Sequence, residues 1–251
     1  MSDVAAGDAA LARALAAAAG ALLLEIRSDF SKRGGGDGKA LGVAGDAKAN
    51  ALLMARLAEA RPEDGVLSEE SVDGATRLAK RRVWIIDPLD GTREYGEGRE
   101  DWAVHVGLSV DGRAVAGAVA LPAIGRVHDS GGARLAAASG QMRMLVSRSR
   151  PPALASALAD ALGAEMVPMG SAGAKAMAVL EGRAEIYVHE GGQHQWDNCA
   201  PVAVAAAAGL HCSRIDGAEI VYNGADTLIP DLLICRPELA ARALAAIARL
   251  R

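Results

Sequence analysis

Asp87-Pro88-Leu89-Asp90-Gly91-Thr92 concentrates more potential chemistry than any other stretch of the chain. Two carboxylates are separated by a proline and a leucine. The run before them, Val83-Trp84-Ile85-Ile86, has the apolar, β-branched character of a buried strand. Proline cannot donate to a sheet ladder, so the strand is expected to stop at Asp87-Pro88 and the chain to turn. Such a turn can aim both carboxylates and the Leu89 carbonyl at one spot, an all-oxygen donor set suited to a hard divalent cation such as magnesium. Gly91 allows close approach to the backbone. A helix starting at Thr92 leaves amides free for an anion. Cation ligands beside an anion cradle point to metal-assisted phosphoryl chemistry. On these residues alone, an acidic surface turn with Thr92 capping a helix accounts for them equally.

Three further acidic stations sit at expected element boundaries. Glu69-Glu70 follow the short apolar run Val66-Leu67. Adjacent carboxylates repel; solvent offsets this on a surface and a cation does so in a site. Asp197 follows Trp196 at the start of an Ala-rich helix. Asp46 precedes residues 47–60, where Leu52, Leu53 and Leu57 mark a helix, and a lone Asp there reads first as its cap. Acids from distant segments converging on one pocket are how multi-cation phosphatase sites are built.

The elements that must position these groups follow from patterning. Residues 9–28 form an amphipathic helix with Leu11, Leu15, Leu22 and Ile26 inward, without the flanks of a signal peptide. No segment reads as long and apolar enough to span a membrane. Residues 31–45 read as a glycine-rich flexible loop. Residues 102–108 and 114–120 are strands joined by an Asp111-Gly112 hairpin. Two helices followed by an antiparallel sheet thus occupy residues 1–140. From residue 141 strands alternate with helices, an α/β pattern that sets a boundary near Gly140 and gives a C-terminal half of residues 141–251.

The 251 residues suffice for one large domain or two small ones, and 51% hydrophobic content allows a sizeable core. Aromatics are only 3%, so that core must be aliphatic, with Trp84 and Trp102 inside it. A net charge of −4 argues against a nucleic-acid coat or a binder of anionic membranes, and leaves a compact phosphorylated substrate open. Cys199, Cys212 and Cys235 lack metal-ligand spacing and fit a reducing cytoplasm.

Trp84 to Thr92, and Trp196-Asp197 through Ala208-Gly209, resemble the two signatures of the inositol monophosphatase family, and Glu69-Glu70-Ser71 is similar to its third acidic station. Order and spacing agree over nearly the whole chain. The resemblance implies a layered αβαβα sandwich and a magnesium-dependent, lithium-sensitive phosphatase using two or three ions. It implies that Glu69, Asp87 and the Leu89 carbonyl hold one ion and that Asp87, Asp90 and Asp197 hold a second. Glu70 would order water around a third. Thr92 and Asp46 would orient the attacking water and accept its proton, with Glu69 in the catalytic set, and the Gly91 and Thr92 amides would grip the phosphate.

Arg93-Glu94-Tyr95, Val146-Ser147-Arg148-Ser149 and Gly170-Ser171 with Lys175 resemble the CysQ branch of the family. That branch removes the 3′-phosphate of 3′-phosphoadenosine 5′-phosphate (PAP), with the sulfated relative PAPS a related substrate, in sulfate assimilation. Arg148, Lys175 and His189 are then candidate substrate contacts. Each also has a plain reading: a solvated Arg or Lys, and a structural His at a strand end. Rival functions are an inositol-1-phosphate or fructose-1,6-bisphosphate phosphatase, and an inactive member acting as a binding protein. A homodimer is compatible with the sequence.

Overall fold

The computed structural model describes residues 3–138 and 140–251. Helices α1 (Asp3–Lys32) and α2 (Gly38–Ala60) come first. A sheet follows, made of β1 (Gly65–Ser68), β2 (Arg82–Asp90), β3 (Ala103–Val110), β4 (Arg113–Leu121) and β5 (Arg126–Asp129), with the short α3 (Thr92–Gly96) after β2. The second sheet contains β6 (Arg143–Ser147), β7 (Glu165–Met169), β8 (Ile186–His194), β9 (His211–Ser213) and β10 (Leu228–Cys235). Interleaved with it are α4 (Ala155–Leu162), α5 (Ala172–Leu180) and α6 (Gln195–Ala207), and α7 (Ala240–Leu250) closes the chain.

Alternation along the strands dictates the layers. In β2, Trp84 and Ile86 pack toward α1 and α2, while Val83 and Ile85 point the other way, into a cluster with α5 and α6. The second sheet repeats this: Tyr187, Leu232 and Ile234 face α5 and α6, and Ile186, Val188 and Leu233 face α4 and α7. The result is a five-layer αβαβα sandwich with α5 and α6 between two sheets buried on both faces. The first sheet runs β1-β2-β3-β4-β5 and the second β7-β6-β8-β10-β9. Asp111 and Gly112, at φ 50° and 82°, make the expected tight turn between β3 and β4.

Several expectations need correction. β1 pairs parallel to β2, so the first sheet is mixed, because the chain crosses over between them through residues 69–81 instead of turning tightly. β2 does not stop at Pro88 but continues to Asp90, with its register to β3 shifting between Asp87 and Asp90. A bulge absorbs the missing proline donor. The loop before α2 ends at Asp37, whose side chain accepts the Lys39 amide and caps the helix. Asp46 therefore lies inside α2 and caps nothing.

On α1 the buried stripe is Ala12, Leu15, Ala16, Ala19 and Leu23; Leu11 and Ile26 flank it half-buried, and Leu23 takes the inward place expected of Leu22. Alanines close enough to β4 define the stripe, so counting leucines shifts it by one residue. Residues Gly7–Lys32 are also long and apolar enough to cross a membrane by length and composition, contrary to the expectation. In the fold this helix packs one face on the first sheet, and Arg13 bonds Asp129 and the Val127 carbonyl. The three cysteines are unpaired.

Candidate active site

The β2 bulge brings Asp87 and Asp90 to the edge of a cavity of about 560 Å³ between the two sheets. Around it stand Glu69 from the end of β1, Leu89, Gly91 and Thr92 from the β2–α3 turn, Arg148 after β6, Lys175 on α5, His189 on β8 and Asp197 on α6. Residues from six segments thus share one pocket. Asp46 does not line it; it stands behind Thr92, whose Oγ lies 3.4 Å from Asp46 Oδ2 and 3.1 Å from the Leu89 carbonyl. Glu70 is exposed outside the lining, with its backbone carbonyl near Asn50.

Asp87, Asp90 and Asp197 each bring a carboxylate oxygen within 4.8 Å of the others. One oxygen of each is tethered. Asp87 Oδ1 accepts the Leu89 amide at 3.0 Å, and Asp197 Oδ2 accepts the His194 amide at the start of α6. Asp90 Oδ2 accepts the Gly173 amide at 2.9 Å and the Ser171 hydroxyl. Ser171, held at φ 52°, also caps α5 through Ala174, so one strained residue links the helix start to an acid of the pocket. Such tethers fix ligand oxygens before a cation arrives.

Burial and mutual repulsion dominate the electrostatics of most of these acids. Burial pushes the Asp46 carboxyl up to about 8, with Glu70 and Glu69 adding to it. Burial and Asp197 raise Glu69 to about 7. Burial and Asp90 raise Asp197 to about 6, and Asp87 is driven well above the carboxylate range by burial and Glu69. Asp46 Oδ1 is buried without a partner. Burial also opposes the charge on Asp90, but His105, Lys175 and Ser171 outweigh it and hold Asp90 down at about 2. An all-oxygen set of crowded, repelling carboxylates fits hard divalent cations, which would remove the repulsion.

His105 on β3 was not anticipated. Its Nδ1 meets the Trp196 carbonyl at 3.1 Å, and its Nε2 lies 3.1 Å from Asp90 Oδ2. The second contact is poorly aligned for a hydrogen bond, so charge is what joins the pair. Burial opposes a charge on the ring, but Asp90 and the Trp196 carbonyl outweigh it and raise its pKa, which favours the form with both nitrogens protonated. The only hint in the sequence was register: His105 stands opposite Asp87 once β2 and β3 pair.

The cations of the pocket are mostly occupied. Lys175 is not solvated; its three donors point to the carbonyls of Met169, Gly170 and Ser171. Burial lowers its pKa to about 8. Arg148 is clamped by Glu94 at 2.7 Å and Glu97 at 2.9 Å. His189 Nε2 meets the Gly191 carbonyl at 2.8 Å, and burial depresses its pKa to about 4, so it is neutral at neutral pH.

The five layers and a cavity where carboxylates converge beside a hydroxyl define a class, the sandwich-fold phosphatases. The chain belongs to the inositol monophosphatase family, whose sequence profile matches residues 6–250. It is 49% identical over 248 residues to a 3′-phosphoadenosine 5′-phosphate phosphatase of Mycobacterium leprae, covering 93% of this chain and 90% of that one. It is 30% identical over 200 residues to the 3′(2′),5′-bisphosphate nucleotidase CysQ of Escherichia coli, covering 74% and 81%. Among solved structures, CysQ from Bacteroides thetaiotaomicron is similar with a TM-score of 0.75 at 25% identity, over 92% of this chain and 97% of that one.

Proposed function

We propose that this chain is a divalent-cation-dependent phosphatase that releases the 3′-phosphate of PAP to leave AMP. The observation that carries the reading is the meeting of Glu69, Asp87, Asp90 and Asp197 in one cavity, with Thr92 backed by Asp46 at its wall. The names of the relatives at 49% and 30% identity supply the substrate. Magnesium, as two or three ions inhibited by competition from lithium, suits the oxygen donors. Sulfate assimilation in the cytoplasm is the matching setting.

Glu69, Asp87, the Leu89 carbonyl, Asp90 and Asp197 would hold the cations. Bound there, these would supply Lewis-acid stabilisation of the nucleophile and of the leaving oxygen. The chain's own residues do the positioning. The Thr92 hydroxyl hydrogen-bonds the attacking water, and Asp46, ionised when bound cations offset the neighbouring acids or when the pH exceeds about 8, takes up the proton relayed through Thr92. Amides at Gly91 and Thr92, in the first turn of α3, hold phosphate oxygens. The water oxygen bonds to phosphorus in line as the bond from phosphorus to the ribose 3′-oxygen breaks. The ribose oxygen leaves with the electron pair and is protonated from solvent.

Steady-state turnover on PAP, inositol 1-phosphate and fructose 1,6-bisphosphate, each with magnesium and with or without lithium, tests the reading. PAP is expected to have the highest kcat/KM and lithium to inhibit. Equal efficiency on all three would defeat the narrow assignment. No magnesium-dependent phosphate release from any of them would favour an inactive binding protein.

A further inference from the structure

We infer that Arg77, which does not line the cavity, is a positioning residue for the cations: it fixes the spacing between the two chain segments that carry Glu69 and Asp197. The inference rests on the cation-dependent phosphatase reading above. Glu69 opens the crossover from β1 to β2, and Asp197 lies in the first turn of α6. Both line the cavity, and the charge of Asp197 is the strongest repulsion felt at Glu69. Like charges facing each other across a cavity push its two walls apart, so something must hold those walls.

Arg77 sits in a 3-10 helix of the crossover, Ala75–Ala79, and is only 2% exposed. A guanidinium has five N–H donors, and burial is costly unless they are met. Nε and Nη2 donate to the Asp73 carboxylate at 2.6 and 2.7 Å, which ties the crossover to itself. The remaining donors leave it. Nη1 donates to Asn223 Oδ1 at 2.8 Å, and Nη1 and Nη2 both reach the Gly224 carbonyl at 3.2 Å. Asn223 answers with its own amide, Nδ2 donating to the carbonyls of Arg77 and Lys80. It is held at φ 58°, which asparagine tolerates better than most residues with a Cβ. The same loop then grips the start of α6. Gln195, the first residue of that helix, donates through Nε2 to the Gly224 and Asp226 carbonyls, and its Oε1 accepts the Asn223 amide at 2.6 Å. The Gly224 carbonyl is thus shared by Arg77 and Gln195, which joins the crossover of Glu69 to the helix of Asp197. The other end of the crossover is seated separately, by Asn50 of α2 on Ser68 and Ser71. Arg77 therefore acts on the separation of the two walls. A lysine in its place keeps the charge but cannot span Asp73, Asn223 and Gly224 with one rigid fork.

Two variants loosen the clamp in different ways. Arg77→Lys loses the fork, and Asn223→Gly keeps the left-handed backbone while losing the carboxamide. Ile247→Ala, buried between α4 and α7, is the control for lost stability alone. Magnesium binding to each full-length protein is measured by calorimetry without substrate, well below its melting temperature. Phosphate release from PAP is then titrated with magnesium. Both clamp variants are expected to weaken magnesium binding about 10-fold and to raise the half-activating magnesium concentration to match. KM for PAP at saturating magnesium should move far less. Ile247→Ala should melt earlier and bind magnesium as wild type does. If Arg77→Lys and Asn223→Gly also melt earlier yet bind magnesium like wild type, Arg77 is purely structural; the inference is overturned and the phosphatase reading stands. If Arg77→Lys does not fold, the magnesium affinity of Asn223→Gly decides by the same criterion. If the wild type itself binds no magnesium, the cation reading and this inference fall together.

Discussion

Asp46 shows how far one carboxylate's environment departs from its sequence context. It sits mid-helix, buried, with Oδ1 unpartnered and Oδ2 beside Thr92. A helix interior gives an Asp no structural benefit, and burial among other acids penalises its charge. Asp46→Asn keeps the shape and removes the charge, so the melting temperature should hold or rise. Turnover should fall roughly 10²- to 10⁴-fold, the usual range for losing a group that takes a proton. Parallel thermal melts and saturating-substrate kinetics check this; a variant that turns over like wild type would return Asp46 to a structural role. The sequence made Asp46 a candidate only through family resemblance, since local cues favoured a cap.

At the scale of elements, close backbone contact between α2 and α3 places Thr92. A Cβ on Gly38 would lie 2.4 Å from the Gly96 carbonyl oxygen, and one on Gly42 would lie 2.6 Å from Thr92 Cγ2. These glycines fall on one face of α2, four residues apart. Gly42→Ala should therefore push Thr92 away from its place beside Asp46 and Leu89. A displacement near an ångström costs roughly 10²-fold in rate when it misaligns reacting groups. Rate should suffer well beyond what stability does, because Thr92 can yield at the cavity wall; measuring kcat against the unfolding midpoint separates the two. Residues 31–45 read as a loop because glycines are poor helix formers. Gly38 and Gly42 are nevertheless inside α2, because only a bare face lets α3 approach, while residues 33–37 are the loop expected. The β2 bulge was hidden for a similar reason: Pro88 signals a strand end, and pairing with β3 on the far side carried the strand past it.

For the whole molecule, the carboxylate cluster links folding to cations and pH. Asp46, Glu69 and Asp197 titrate near 8, 7 and 6 in the folded protein, against 3.8 to 4.5 without these surroundings. Acids with raised folded values contribute stability that is complete below about pH 4 and is lost as pH climbs through 6 to 8. Asp90, held near 2, stays ionised throughout and adds nothing to that window. In chelator, the melting temperature should therefore fall between pH 5 and pH 8. Magnesium should restore it most at the alkaline end, where protons no longer compete; at a hundredfold excess over its dissociation constant the gain is about 2.7 kcal/mol. Asp87→Asn should blunt the magnesium-dependent rise without lowering stability in chelator. A melting temperature indifferent to both chelator and pH would argue that these acids meet solvent and not cations.

What the chain's order of residues determined alone was chemistry and layering. Apolar runs such as Val83 to Ile86 and Ala184 to Val188 declare strands through solvent exclusion, and Asp87 and Asp90 at the border of the first, with Asp197 at a helix start, offer carboxylate oxygens. Both signals are local, so they survive in one dimension. Tertiary structure decided which groups are spoken for. Lys175 and Arg148 look alike as free cations in a sequence, but folding gives one to three carbonyls and the other to Glu94 and Glu97. It also set His105 against Asp90. Partnership of this kind depends on distances between segments far apart in the chain, and those are settled only when both sheets close on α5 and α6.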